Sequence, residues 1–347
     1  MGTVVVGDAP SPSPSAAPRR ARAGRLGAAI GGSSVVRVVG RRLAFGLVLI
    51  FAVTALSFLL VSLIPGDPAR AILGVNATQA QVDALRRQLG LDLPLYQQYW
   101  DWLQGAVHGD FGQSISSAQP VTAVLAPRVG VTLSLLLGTL LVSTVVGVAF
   151  GVVGAVRGGA LGRGVDAISL VGFAIPAFWL GALLASVFAV QLRWLPAVGY
   201  VPPGVSLGGW LRSMVLPVAA LSAGAIAVVA KQTREAMLDV LGSEYVRMAR
   251  ASGLPARSIV LRHALKNASV RVLTVLGLVA VGVLGGSVVI ENVFALPGLG
   301  GELVNATTQG DLPVVLAIVT YFAVAVVVIN LAVDLAYMWA NPKVRVQ

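Results

Sequence analysis

Few residues in this chain are equipped for covalent chemistry. It has two histidines and no cysteine among 347 residues. Disulfides, thiolate metal sites and a multi-histidine metal cluster are therefore excluded. His108 stands two residues from Asp110 in "HGDFGQS". Acid–base chemistry uses such a pair only with a reacting group in reach. No nucleophile or second base stands beside it, so the pair reads as part of a two-glycine turn. Ser134, Ser143, Ser169 and Ser186 lie in or near apolar runs without a base, as helix-packing serines do. The three lysines follow Ala230, Leu265 and Pro342. The Gly-Lys pair of a phosphate-binding loop is thus missing, and the chain carries no such nucleotide site. What remains is one basic, helix-forming stretch, "EYVRMARASGLPARSIVLRHALKNA", from Glu244 to Ala268.

The elements around that stretch are apolar. Soluble domains carry about 25% charged residues; here 11% are charged and 56% hydrophobic. So little charge cannot build a polar shell, and most of the surface must face lipid. A helix needs about 20 apolar residues to cross the hydrocarbon core. Six stretches qualify: Leu43–Ile64, Val131–Val153, Ile168–Val190, Met214–Ala230, Val272–Ile290 and Val314–Leu335. Pro176 predicts a kink within the third. Pro217 falls in the first turn of the fourth, where proline is tolerated. The fold class expected is all-α integral membrane with six transmembrane helices. Residues 1–40, rich in Pro, Ser, Ala and Arg, read as a disordered tail. Residues 41–64 form the first span, 65–130 an extracytoplasmic segment, 131–340 a core of five spans, and 341–347 a second tail.

Charge fixes the orientation. With the N-terminus inside, the inner segments hold nineteen of the 25 Lys and Arg residues. Arg70, Arg86, Arg87, Arg128, Arg193 and Arg212 are left outside, together with most of the acid. Both termini are therefore cytoplasmic, and the net charge of +11 reports topology rather than a nucleic-acid face. Asp334, near the inner end of the last span, reaches interfacial water instead of acting as a proton relay. In the outer segment, Thr78 and Gln81 predict a capping box, Gly90 a helix end, and Pro94 the start of a second helix. Tyr96, Tyr99, Trp100 and Leu103 give that helix an aromatic face suited to the membrane boundary.

The inner segment 231–271 reads as helix–turn–helix. The fourth span runs on into the cytoplasm, Gly253 ends that helix, and Pro255 starts the next. Arg247 and Arg250 share one face, with Tyr245, Val246 and Ala249 on or near the other. Three roles fit: a basic loop that fixes topology, an amphipathic helix on anionic lipid, or a docking helix for a cytoplasmic partner. The Gly-Leu-Pro punctuation favours the last, because a topology loop needs only charge.

This stretch resembles the cytoplasmic loop of ABC-type importer permeases, in the dipeptide/oligopeptide/nickel branch. The similarity rests on Tyr245, Val246, Arg247, Ala249, Arg250, Ala251, Gly253 and Leu254, then His263, Ala264, Leu265, Lys266, Asn267 and Ala268. Lys266 stands where arginine is usual, and Arg271 where proline is usual. "LIPGDPA", "LGLDLPLYQQYWDWL", "GDFGQS", "IPAFWLG", "WLPAVGY" and "ENVFALPGLGGELVNATTQGDLPVV" are similar to segments of the first permease subunit type, from about Val36 onward. The resemblance implies a multi-pass protein of a bacterial inner membrane that binds no cofactor itself. It implies as partners a second permease subunit, two ATPase subunits holding ATP and Mg, and an extracytoplasmic substrate-binding protein. The implied cargo is a peptide, or nickel or another small solute. The implied coupling residues are those of the 244–268 loop: Tyr245, Val246, Arg247, Ala249, Arg250, Ala251, Gly253, Leu254, His263 and Asn267. Two other classes compete on sequence. A gradient-driven carrier would show repeats, broken mid-span helices or buried ionisable groups. An intramembrane enzyme would show a catalytic constellation at membrane depth.

Overall fold

A computed structural model describes residue 2 and residues 20–63, 67–74 and 76–340. The tail 341–347 and most of residues 1–19 lie outside it. Helices make up nearly all of the described chain: α1 Arg20–Ser62, α2 Pro68–Leu73, α3 Gln79–Gln88, α4 Leu95–Val107, α5 Val121–Arg157, α6 Gly159–Ala174 and α7 Ala177–Leu184. They continue with α8 Leu207–Leu241, α9 Glu244–Ala251, α10 Ala256–Ser258, α11 Leu265–Val293, α12 Leu299–Gln309 and α13 Leu312–Ala340. Wider π-helical turns extend α7 over Ala185–Gln191 and join α10 to α11 over Ile259–Ala264.

Among the described residues, five helices are long and apolar enough to cross a membrane: Val39–Ser62, Val121–Arg157, Leu207–Leu241, Ala256–Val293 and Leu312–Met338. A sixth crossing exists only if α6 and α7 count together, and they meet at 94°. The expected third span, a kinked helix over Ile168–Val190, is thus two helices beginning at Gly159. Proline lacks an N–H and pushes the preceding residue out of the helical region, and Ile175 is extended at ψ 121°. Helix α1 begins at Arg20, within the stretch expected as a disordered tail; no proline stands between Pro18 and Pro65. The fourth span starts at Leu207 under a Ser206 cap, so the buried Pro217 sits inside α8 rather than in its first turn. That helix stops at Gly242 rather than at Gly253, and α9 begins separately.

Helix α8 is the axis of the bundle, packed by α5, α6, α7 and α11, with α13 on α11 and α1 on α13. Its contact with α5 is close. Gly147 and Gly151 face Val229 and Thr233, with the Ala230 carbonyl beside them. Small residues four apart let helix backbones approach in this way in lipid, where burial supplies no drive to associate.

The outer end is tied by polar contacts. Asp311, at the head of α13, is buried, and its carboxylate accepts bonds from Ser114 Oγ (2.6 Å), Ser116 Oγ (2.8 Å) and the Ile115 and Ser116 amides. The "GDFGQS" turn is therefore clamped to the last span. Glu291, buried at the end of α11, accepts bonds from Thr132 Oγ1 (2.7 Å) and from the Gly300 and Gly301 amides at the start of α12. Arg128 of α5 pairs with Glu302 of α12 at 2.9 Å. The α3 capping box forms as expected, and Gly90 has φ 68°. Of the aromatic face of α4, Tyr99 turns inward: its hydroxyl lies 2.9 Å from Thr54 Oγ1, and it packs on Phe51, Phe58 and Trp102. Tyr96 and Trp100 stay exposed. Replacing Asp311 by Ala removes the acceptor for four donors, at about 1–3 kcal/mol for each one left buried and unpaired. The expected result is proteolytic nicking near Ser114 in Asp311→Ala at protease levels that leave wild type intact, read by limited digestion.

Candidate functional site

At the inner end, α8 runs beyond the apolar region and packs Ala236 and Met237 against Ala264 and Ala268, with Ala155 of α5 completing the cluster. The extension is thus rigid with α5 and with the entry to α11. Two ion pairs brace it: Arg234 with Asp166 of α6 at 3.1 Å, and Arg271 with Asp239 at 2.8 Å. Arg271, the departure noted in the motif, therefore ties the entry of α11 back to α8. At the same end Arg42 of α1 binds Asp334 of α13, with Arg42 Nη2 3.0 Å from Asp334 Oδ1.

Between these braced helices lies α9. Val246 is fully buried and anchors it. Ala249 is half-buried, and the Tyr245 hydroxyl accepts a 2.7 Å bond from Asn267 Nδ2. The structure thus unites the two ends of the motif. Arg247, Arg250, Ala251, Gly253, Leu254 and His263 are exposed, and the His263 ring makes no hydrogen bond among the described residues. Tyr245 is itself 45% exposed, so it belongs to the outer face rather than to the Val246 side. Glu244 in the first turn and Arg250 in the last complement the helix dipole.

Helix α9 ends in a Schellman pattern. The Gly253 amide donates to the Arg250 carbonyl (3.0 Å), and the Leu254 amide to that of Ala249 (3.2 Å), with Gly253 at φ 76°. This closure swings the chain round so that Pro255 can open α10. The motif reading missed Met248. At 72% exposure it is the barest large apolar side chain of α9, next to the 41%-exposed Leu254. Its position three residues from Tyr245 and two from Val246 carried that signal, since one helix face cannot hold all three. Beside α9, Asp239, Val240, Ser243, Tyr245 and Asn267 line an open groove of about 500 Å³. His108 and Asp110 are occupied locally, His108 Nδ1 lying 2.8 Å from the Gln104 carbonyl and Asp110 Oδ1 accepting from the Gly112 amide.

The bundle thus carries a short helix mounted rigidly beyond the apolar part of α8. Residues 143–346 match the family described as "Binding-protein-dependent transport system inner membrane component", and residues 35–136 match its N-terminal domain. The chain belongs to that family. It is a permease subunit of an ABC importer, an inner-membrane transport component. A protein of Brucella abortus (strain 2308) named as a peptide transport system permease is 42% identical over 306 residues, covering 88% of this permease and 98% of the relative. The glutathione transport system permease of Escherichia coli (strain K12) is 41% identical over 297 residues, covering 85% and 94%. An inward-facing structure of the MetNI methionine ABC transporter shares the fold at TM-score 0.51 and 19% identity, covering 63% of this permease and 97% of the matched chain. The α6–α7 break is a feature expected of a gradient-driven carrier, but family membership assigns the permease to ATP-driven importers.

Proposed function

We propose that this permease forms half of the solute path of an importer for peptides, and that residues 244–268 are the part gripped by an ATPase subunit. A second permease subunit completes the path, two ATPase subunits bind ATP and Mg beneath it, and an extracytoplasmic binding protein delivers the solute. The observation that carries this reading is α9 itself: anchored through Val246, joined to α11 through Tyr245 and Asn267, and presenting Met248, Arg247, Arg250 and Leu254 outward. An apolar centre flanked by arginines is what protein interfaces favour. Since α8, α9 and α11 are braced together, movement of α9 carries the fourth and fifth spans with it. The relatives named for peptide and glutathione transport support peptides as cargo.

Arg250→Glu reverses a charge on the exposed face, and Arg250→Gln removes it. The expected result is graded loss of ATPase subunit co-purifying with tagged permease, Glu losing several-fold more than Gln. Equal recovery across all three proteins contradicts the docking assignment.

A further inference from the structure

The break between α6 and α7 lies level with the middle of α8, as its contacts show. A Cβ at Gly162 would meet the Arg234 side chain, whereas one at Gly172 would meet Ala227 and the Ala223 carbonyl. Helix α6 therefore climbs antiparallel to α8, from its cytoplasmic extension to its centre. After Pro176 the chain turns by 94°. Gly181 of α7 then faces Ala220 of α8 together with Ile290 and Phe294 at the end of α11.

This turn leaves backbone groups without partners. The Ile175 amide still donates to the Val171 carbonyl, and the Leu180 amide to that of Pro176. Ile175 and Pro176 are neither helical nor part of a hydrogen-bonded turn, so the carbonyls of Phe173, Ala174 and Ile175 and the amides of Ala177, Phe178 and Trp179 lack the partners that a continuous helix would give them. Phe173, Ala174, Pro176, Phe178 and Trp179 are exposed around them. Unpaired backbone facing lipid costs several kcal/mol for each group, and irregular backbone persists at this depth only inside protein or against water. No other described part of this chain covers it. The apolar face of a neighbouring helix could cover the side chains but has no donors to offer the three carbonyls. Water has, and so has a solute rich in amide N–H and ammonium groups.

We propose that the Ile175–Pro176 break is a wetted wall of the solute path, its three free carbonyls serving as acceptors for passing hydrogen-bond donors. This rests on the permease reading and adds the lining residues. The absence of cysteine makes the test direct. Phe173→Cys and Ala174→Cys are placed singly in the full chain and assembled with its partners in vesicles. Leu141→Cys serves as the comparison, since Leu141 is 66% exposed on α5, between Gly138 and Gly147, which pack on Val218 and Val229 of α8. It therefore sits at similar depth on a stripe of exposed apolar residues.

A small charged methanethiosulfonate reacts only with thiols in water. The expected result is reaction at residue 173 or 174 at least about tenfold faster than at residue 141, with loss of ATP-dependent trialanine uptake after modification. Rates at both positions as slow as at residue 141 overturn the proposal, and so does rapid reaction that leaves uptake unchanged. Uptake by the unmodified wild type is read in the same vesicles. Unreactive thiols beside intact uptake sink the wetted wall alone, whereas absent wild-type uptake counts against peptide import.

Discussion

Gly253→Val is expected to cut solute uptake at least about tenfold while leaving the amount of permease in the membrane unchanged. Gly253 has φ 76° and supplies the turn that closes α9. A non-glycine residue pays about 1–2 kcal/mol for that conformation, and a β-branched one pays more because its Cβ is crowded at both branches. A cost of about 1.4 kcal/mol corresponds to a factor of ten in an equilibrium constant. No atom lies within 4 Å of a Cβ built there, so the penalty is backbone strain and not collision. That distinction yields an internal check. Gly253→Asn, of similar bulk to valine but tolerant of the left-handed region, is expected to stay within about twofold of wild type. Uptake equal to wild type in the valine variant, at equal abundance, contradicts the role given to this turn. So does equal loss in both variants, which would point to a requirement for glycine itself.

The second large effect is expected at Gly151. A Cβ there would lie 2.5 Å from Thr233 Cβ and 2.7 Å from the Ala230 carbonyl oxygen. Backbone cannot rotate away as a flexible side chain can, so α5 and α8 must separate. Overpacking of this kind costs about 1–3 kcal/mol. At about 2–4 °C per kcal/mol for a chain of 150–250 residues, Gly151→Ala is expected to lower the thermal midpoint in detergent by about 5 °C. Gly130→Ala makes the matched comparison: it lies on the same helix with nothing within 4 Å, and it gains the helix preference of alanine. Its midpoint is expected to stay level or rise. Equal shifts in the two variants would show that the α5–α8 approach is looser than Gly147 and Gly151 make it.

Hydropathy made the straight spans legible, because a helix of about 20 apolar residues has few other places to go. The capping box at Thr78 and the turn at Gly253 were legible too, since each rests on bonds within a few residues. The 94° turn at Pro176 was read only as a kink. Proline signals that a helix is interrupted, but the angle is set by Gly172 and Gly181 seating on α8, which are tertiary contacts. The clamp on Asp311 could not be read, because Ser114 and Asp311 are far apart in the chain and neither is unusual alone. At the segment 244–268 the pattern placed Tyr245 with Val246 and Ala249, whereas its exposed hydroxyl bonds to Asn267. Met248 was passed over because the motif leaves that position open.

The most direct measurement is cross-linking from Met248→Cys, the sole thiol the chain would then contain. Inverted membrane vesicles carrying the complete importer are treated with a short thiol-to-amine cross-linker, with and without ATP and vanadate. The expected product joins the permease to an ATPase subunit, in a yield that changes between the two nucleotide conditions. Failure to capture an ATPase subunit in either condition, or labelling of the same thiol from the outer face of intact cells, would show that the helix between the fourth and fifth spans is not the lever through which ATP moves this permease.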